Sequence, residues 1–490
     1  MSAFAHVVHA EWTKFRTVRG WVAGMVAAAL LLVVFALLAG VSSDQKGAPP
    51  VPIGPDGGPV TDSFYFVHRP LTGDGAITAS VPALKSSIPA DPEHLRPGTV
   101  PWAKAGLIVK ESTRPGARYA AIMVTGGHGV RMQDGYVHDT AGPAGVSARL
   151  LRLERSGDAI TGYASADGAH WTKVGTVHLR GLGPTAQGGL FVASPPSVQG
   201  MGTSGSVSTA AFGNLRVQGH WAPGDWTGGQ VGAESPGFAG YPANTSGAFT
   251  ESGGRFTVTG AGDMAPAVRE TLPTGGTLGE ILTGTFAALI AVIVVAALSV
   301  TTEYRSGLVR VTLAAGPGRS RVLAAKAIVL GAVAFVAGLV GAAVAVPLGL
   351  HLAEANGVYV FPVTAATEVR VVLGVAALLA TVSVLALSAG AVFRHSAGAV
   401  TTVVVAVVLP YILMAIPFMP ASVSTWLARV TPGAAFAVLQ TLVPYHQVAS
   451  IYTPYEGYYP LAPWAGFAVL AGYAMGALAV AAVLLHRRDA

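Results

Sequence analysis

Long uninterrupted apolar stretches alternate with polar segments along this chain. Six stretches reach about 20 residues, the length that a helix needs to cross the hydrocarbon core of a membrane. They cover residues 21–41, 281–300, 327–350, 371–393, 397–419 and 461–485, and none has an Asp, Glu, Lys, Arg or His near its middle. The pattern predicts an all-α bundle of six membrane-spanning helices.

A different pattern fills the region between the first two stretches. Residues 42–60 are rich in Gly, Pro and Ser, as in a linker. Short apolar or alternating runs follow at 76–84, 105–110, 119–124, 148–154, 159–164, 174–178, 189–193 and 254–260. Glycine turns at 155–158 and 166–168 separate some of these runs, which is typical of antiparallel strands in a β-sandwich.

These two patterns predict three segments. Residues 1–43 contain an interfacial helix and the first transmembrane helix. Residues 44–275 form an inserted all-β sandwich with its core at about 64–217, and residues 276–490 hold transmembrane helices two to six. The fold class is a six-helix membrane bundle with an inserted extracytoplasmic β domain.

Composition supports a membrane protein. Apolar residues make up 52% of the chain and charged residues only 11%, against about 25% in an average soluble domain. Within residues 44–277 the acidic and basic residues cancel, so the net charge of +6 comes from the rest of the chain. Because no basic stripe lies on a soluble domain, we predict no nucleic-acid partner. The absence of cysteine excludes disulfides and thiolate sites.

The basic residues also predict the orientation, because cytoplasmic loops carry an excess of Lys and Arg. Eleven of them flank one side of the six stretches, whereas the short loops 351–370 and 420–460 on the other side hold only Arg370 and Arg429. Both termini are then cytoplasmic and residues 42–280 extracytoplasmic. A cleaved signal peptide at the start is an alternative, but its apolar core would usually be about 7–15 residues long.

Nothing in the sequence suggests that the chain supplies its own energy. Ion-coupled carriers need ionisable groups or broken helices near the middle of the membrane. The phosphate-binding loop is absent, and Gly316-Pro-Gly318 reads as a turn. We therefore predict that the chain is not an enzyme, has no catalytic residue, and holds no cofactor or metal.

The predicted cytoplasmic face carries two candidate contact regions. Apolar residues recur at three- and four-residue spacing over 4–18, which predicts an amphipathic helix in the membrane interface; its candidate residues are Glu11, Trp12, Lys14, Phe15 and Arg16. This helix could be an anchor only or take part in coupling. The sequence of the loop 302–326 predicts a short helix held between two spans. Such a helix can pass a push from a soluble partner into the membrane. Its candidate residues are Glu303, Tyr304, Arg305, Gly307, Arg310, Arg319, Arg321 and Lys326.

Four motifs carry a resemblance to a known family. They are Glu11-Trp-Thr-Lys-Phe-Arg16, Glu303-Tyr-Arg-Ser-Gly307 with Arg310, the segment 319–326, and Phe393-Arg-His-Ser-Ala-Gly398. With them the membrane part resembles the permease subunit of type-2 ATP-binding-cassette (ABC) exporters. The resemblance implies a homo- or heterodimer of permeases, separate cytoplasmic ATPases that bind ATP and Mg²⁺, and a coupling helix within 303–326. It also implies that residues 420–440 fold back at the outer surface.

The inserted segment carries a second resemblance. Gly73-Asp-Gly-Ala-Ile77, Ser165-Ala-Asp-Gly-Ala-His-Trp171 and Gly189-Leu-Phe-Val-Ala-Ser194 are similar to segments of concanavalin-like (laminin-G-like) jelly rolls. Such modules often accompany bacterial glycosidases. Trp102 and Trp171 are candidates for stacking on a ligand, although packing in the core or rim explains them as well.

We expect a permease that exports a hydrophobic or amphipathic substrate, because uncharged spans suit such cargo better than ions. The alternative is a sensor whose outer domain binds an envelope glycan or an antibiotic. A membrane-anchored glycosidase would need a catalytic pair of carboxylates, and no recognisable motif supplies one. The heavy use of Ala, Gly and Val is typical of GC-rich bacteria, so the expected location is the bacterial plasma membrane.

Overall fold

The computed structural model describes residues 3–42, 45–47, 49–91, 94–143, 150–199, 202–232, 247–272, 275–308, 318–415 and 419–487. The chain divides into two compact units. The helical unit comprises Met1–Ala48, Pro273–Val443 and Tyr452–Ala490, and the β unit comprises Pro49–Leu272 and Pro444–Ile451.

Within its described residues, the helical unit contains six long α-helices, the 15-residue N-terminal α-helix and two short ones. The helices are α1 Ala3–Thr17, α2 Arg19–Ser42, α3 Leu278–Ile281, α4 Thr285–Arg305, α5 Arg319–Ala355, α6 Ala365–Phe393, α7 Ser396–Ala415, α8 Ala421–Val430 and α9 Pro463–Arg487. A short 3₁₀ turn joins α3 to α4.

The six predicted membrane spans are confirmed. The helices long and apolar enough to cross a membrane are Arg19–Val41, Leu278–Arg305, Arg319–Ala355, Ala365–Phe393, Ser396–Met414 and Pro463–Arg487. Most of α4 and α6 is buried inside the bundle, whereas most of α2 and α9 faces outward. The outward residues of α2 include Leu30, Val34 and Leu38, an apolar row at four-residue spacing that suits contact with lipid.

Small residues let the helices of the bundle approach closely, which is how helices associate when lipid is as apolar as their side chains. A Cβ atom added at Gly341 of α5 would lie 2.9 Å from the carbonyl oxygen of Ala29 on α2. One added at Gly338 would lie 2.9 Å from the Cα atom of Ala376 on α6. Helix α5 is therefore packed through glycine against both of these neighbours.

The described residues between the fifth and sixth spans contain three short helices, the last of which is the 3₁₀ helix Pro454–Glu456. Helix α8 is followed by the 3₁₀ helix Pro432–Leu439, all of whose residues are buried. The Phe436 ring lies within 5 Å of the rings of Phe286 on α4 and Tyr411 on α7. This part of the segment thus packs into the helical bundle.

The described residues of the β unit contain no α-helix, and their strands pair antiparallel. The strands are β1 Val60–Asp62, β2 Phe64–Pro89, β3 Leu95–Pro97, β4 Lys104–Lys110, β5 Tyr119–Thr125, β6 Val130–Asp134, β7 His138–Ala141, β8 Leu150–Ser156, β9 Ala159–Ser165, β10 Thr172–His178, β11 Thr185–Ala193, β12 Ser197–Gln199, β13 Gly202–Ser204, β14 Val207–Trp221, β15 Thr227–Val231, β16 Ala248–Ser252, β17 Arg255–Gly260 and β18 Met264–Pro266.

The strands form a nearly closed sandwich whose two layers share the long strand β2. The first half of β2 pairs with β11 and β15, and its second half pairs with β8 and β14. One layer therefore runs β15-β2-β11-β4-β5-β6-β7 and the other β10-β9-β8-β2-β14-β17-β16. The predicted membrane bundle with an inserted all-β sandwich is confirmed.

Strand β4 shows why the sandwich has two apolar layers. Leu107 points into the core between the layers, and its neighbour Ile108 points into a second cluster on the opposite face. All seven residues of β4 are buried, because successive side chains of a strand alternate between faces and both faces are covered. Lys104 and Lys110 at its two ends are buried with the rest.

The predicted strands lie where strands occur, and several differ in extent; the run predicted at 189–193, for example, belongs to the longer strand β11. Residues 148–149 of one predicted strand lie outside the described residues, and β8 begins at Leu150. The run predicted at 76–84 is only part of the 26-residue strand β2. The strands that were not predicted are β1, β3, β6, β7, β12, β13, β14, β15, β16 and β18.

Residues Pro444–Ile451, which precede the sixth span in sequence, belong to the β unit. The His446 ring pairs with the Asp139 carboxylate at 3.1 Å, and the Gln447 side chain donates to the carbonyl of Val137 at 3.0 Å. The Ile451 N–H donates to the Glu270 carboxylate at 3.2 Å. Sequence analysis treated this segment only as part of an outer loop.

Candidate functional site

Four charged side chains meet where α1, the end of α4 and the start of α5 come together. The Lys326 ammonium donates to Glu11 at 2.6 Å and to Glu303 at 2.8 Å. The Lys14 ammonium donates to Glu11 at 2.8 Å and lies 3.6 Å from Glu303. These residues form what we call the charge network, with two positive and two negative groups.

The charge network is largely withdrawn from solvent. Glu11 is 4% exposed, Lys326 6% and Glu303 7%, whereas the Lys14 side chain retains 35% exposure. Burial opposes ionisation of Glu11, but Lys326 and Lys14 outweigh that cost and hold its pKa below the usual range. Burial likewise disfavours the charged Lys14, but Glu11 and Glu303 raise its pKa. Both groups are therefore ionised at neutral pH.

Local sequence places each member of the network. Glu11 lies on the same face of α1 as Val8 and Phe15, three and four residues away, and both of these pack against the bundle core. Glu303 lies in the last turn of α4, where a negative charge is unfavourable next to the helix dipole. The lysine from α5 compensates both carboxylates.

The network closes the base of the loop that joins α4 to α5. Glu303 precedes the loop and Lys326 follows it, and they are bonded to each other and to α1. The network therefore connects the ends of α4 and α5 to α1. Sequence analysis selected Glu11, Lys14, Glu303 and Lys326 but assigned them to two separate regions and did not connect them.

Two further predicted residues, Tyr304 and Arg319, contact other elements at this end of the bundle. The Arg394 guanidinium lies 4.9 Å from the centre of the Tyr304 ring, a cation–π contact that joins the end of α4 to the turn between α6 and α7. The Arg319 guanidinium donates to the carbonyl of Leu485 at 2.9 Å. Arginine at the last carbonyls of a helix is favourable, so Arg319 holds the end of α9.

The remaining predicted coupling residues are exposed or not described. Arg305 and Arg321 are exposed at the end of α4 and the start of α5. Gly307 is exposed and has a φ of +72°, a conformation that glycine adopts without strain. Arg310 lies outside the described residues. On α1, Phe15 is buried, while Trp12 and Arg16 are exposed.

The two tryptophans considered for ligand stacking differ in their surroundings. Trp102 is 6% exposed; its ring stacks on His128 at 4.0 Å between centroids and lies under the Arg131 guanidinium. A ligand would have to displace one of these groups to reach the ring. Trp171 is half-buried, and its ring nitrogen donates to the carbonyl of Gly168 in its own turn.

A family model described as ABC-2 family transporter protein matches residues 121–490, more than half of the chain. The match begins in β5 and runs through the last five membrane spans. No match is found among curated proteins.

Two solved structures are similar to part of the chain. One is a functionally unknown protein from Saccharomyces cerevisiae, with 14% identity and a TM-score of 0.18 over 33% of this chain and 76% of that chain. The other is SCP-B, a member of the eqolisin family of peptidases in a complex with a tripeptide, with 10% identity and a TM-score of 0.24 over 40% of this chain and 98% of that chain. These TM-scores are too low to bear on the fold or function of this chain.

Proposed function

The chain belongs to the ABC-2 family of transporter proteins, and we infer that it is a permease subunit that exports a hydrophobic or amphipathic substrate with energy from a separate cytoplasmic ATPase. The family and the membrane helices make it an ABC transporter permease. The direction of transport, the substrate class and the subunits around it are our proposal. We further propose a second permease subunit and two ATPase subunits that bind ATP and Mg²⁺.

The charge network is the observation that carries this proposal. A soluble ATPase that docks on the loop 306–318 would move the ends of α4 and α5, which flank it. Lys326 bonds Glu303 on α4 and Glu11 on α1, so α1 would move with them. The buried ions thus convert a local push into a displacement of three helices. Glu11, Glu303 and Lys326 are positioning residues, since burial keeps them from direct contact with a partner.

The exposed arginines beside the loop are suited to contact the ATPase. We expect Arg305→Glu to weaken ATPase binding by about tenfold or more, because a like-charge contact at an interface costs several kcal/mol. The measurement is recovery of ATP-hydrolysing protein with the tagged chain from its native membrane, together with ATP hydrolysis by the recovered complex. Arg305 is exposed and outside the network, so folding should be unaffected.

The matched control is Arg429→Glu. This arginine is also exposed, but it lies on α8, which the proposed topology places on the outer side. Equal recovery of the ATPase with both variants and the unaltered chain would contradict docking at this loop.

We propose that both termini are cytoplasmic and that residues 42–280, including the β domain predicted at 44–275, are extracytoplasmic in a bacterial plasma membrane. The chain has no cysteine, so a single introduced thiol is a unique label. The Thr113→Cys variant should react with a membrane-impermeant maleimide in intact cells. The Arg321→Cys variant should react only after permeabilisation. Both positions are exposed, and the reverse labelling pattern would overturn the topology.

A further inference from the structure

One face of the β unit carries basic side chains in a line that crosses five neighbouring strands. Directly opposite residues of paired antiparallel strands point to the same face of a sheet. On β10, β9, β8, β2 and β14 the residues opposite one another are, in that order, Lys173, Tyr163, Arg152, Thr78 and Arg216. We call this line the basic row. Sequence does not display it, because its three cations come from three different strands.

The basic row lies on the outer face of its layer. Next to it along the strands, Ile77 and Leu153 belong to the core between the two layers, and successive side chains of a strand alternate between faces. The row therefore points away from that core. Lys173 and Arg216 are exposed, and the Arg152 side chain retains 35% exposure. All three cations are accessible to a ligand.

The spacing of the cations suits an extended ligand. Lys173 and Arg152 lie two strands apart, as do Arg152 and Arg216. Because neighbouring strands are about 4.8 Å apart, each interval is about 10 Å and the row is about 20 Å long. A small anion can contact only one of these cations at a time. A polymer with repeated negative charges can contact all three.

A second line of polar groups runs beside the basic row. The Thr161 and Thr176 hydroxyls are hydrogen-bonded to each other at 2.9 Å. The Glu154 carboxylate pairs with Arg152 and accepts the Tyr163 hydroxyl. The residues opposite one another in this line are Thr176, Thr161, Glu154, Ala76 and Gln218. It offers hydroxyl, carboxylate and amide groups, which accept hydrogen bonds from hydroxyl donors.

Cations recognise carboxylates, and the neighbouring acceptors suit hydroxyl groups. We propose that this face of the β unit binds an acidic polysaccharide, a polymer whose repeating units carry both groups. A polyphosphate has a negative charge on every unit and no hydroxyl along its chain, so it would place phosphate against Glu154. This binding does not depend on the proposed transport function. With the β unit outside the cell, the polymer would be one of the cell envelope.

The test uses the full-length chain, purified in an uncharged polyoxyethylene detergent that has no sugar to compete, and a hexamer of galacturonic acid as the probe. Isothermal titration should show saturable binding that weakens as salt is added. Maltohexaose, with the same number of sugar rings and no carboxylate, should bind at least about tenfold more weakly, as should a linear polyphosphate of equal length. Equal affinity for maltohexaose would overturn recognition by charge, and equal or tighter binding of polyphosphate would overturn the polysaccharide.

The variant Lys173→Gln/Arg216→Gln should bind the hexamer about tenfold more weakly, because an amide cannot replace a charge-assisted hydrogen bond. Both positions are exposed, so the fold should be preserved. The matched control Arg96→Gln/Arg114→Gln removes the same charge from exposed positions of the β unit outside both lines, and its affinity should be unchanged.

Two results would refute the site. One is unchanged affinity in Lys173→Gln/Arg216→Gln, and the other is an equal loss in the control variant, which would show that only the overall charge matters. Because no measurement involves ATP or transport, failure of the ATPase-docking test leaves the interpretation of these titrations unchanged.

Discussion

Replacing Lys326 with methionine is expected to destabilise the helical unit by about 3–5 kcal/mol, the cost of leaving an uncompensated charge in a buried ion network. Lys326 is the group that bonds both Glu11 and Glu303. Without it, two buried carboxylates share the single ammonium of Lys14, which is 3.6 Å from Glu303. Thermal unfolding of the detergent-purified chain, followed by size-exclusion chromatography of the remaining folded fraction, measures the loss.

A second variant separates the charge imbalance from a simple packing defect. Lys326→Met/Glu303→Gln removes one charge of each sign and leaves the Glu11–Lys14 pair, so it should be more stable than Lys326→Met alone. The matched control Arg321→Met alters an exposed residue of the same helix and should change stability by no more than about 0.5 kcal/mol. If the double variant is no more stable than Lys326→Met, the network does not act as a compensated set of charges.

Loss of Lys326 should also impair function where the protein still folds. With α5 no longer bonded to α1 and to the end of α4, ATP hydrolysis by the recovered complex should respond less to substrate. This separation of folding and coupling is measurable at a temperature well below unfolding. A fully responsive Lys326→Met complex would show that force does not pass through the network.

The membrane spans could be predicted from sequence because their signal is local. A stretch of about 20 apolar residues has few alternatives to a transmembrane helix, and each span is recovered to within several residues. The charge network could not be predicted in this way, since Glu11 and Lys326 are 315 positions apart. Periodicity indicates which face of α1 is apolar, but not which buried side chains meet at the helix ends.

The β unit shows the same division. Alternation located the short strands, but His68, Arg69 and Pro70 interrupt the apolar pattern in the first half of β2. That half is held by pairing on both edges with β11 and β15, which sequence does not display. Lys104 and Lys110 flank an apolar run and look like solvated strand ends; only the structure shows that each is buried against an aspartate.

Those buried lysines support the second large prediction, that Lys110→Met will destabilise the β unit by about 3–5 kcal/mol. The Lys110 ammonium donates to Asp62 at 2.7 Å and to the Ala117 carbonyl at 3.0 Å. Burial lowers the pKa of Lys110, and the opposing effect of the Asp62 charge does not fully offset it. Both side chains are fully buried. Removing the ammonium therefore leaves the Asp62 carboxylate unpaired where water cannot solvate it. Pulse proteolysis of the full-length chain, with cleavage sites assigned by mass spectrometry to residues 49–272, measures the effect.

Lys110→Met/Asp62→Asn should recover at least half of that loss, because buried ion pairs are weakly stabilising and are costly mainly when one partner is removed. The amide can still accept from Tyr136 and from the Gly116 N–H, which Asp62 engages at 2.7 and 2.8 Å. Lys85→Met, at an exposed position of β2, is the control and should change little. Asp62 is the last residue of β1 and pairs with Met264 of β18. These are the first and last strands of the insert, so early cleavage in Lys110→Met should begin near them. Cleavage that begins at β9 and β10 instead would show that the buried pair does not hold the ends of the domain.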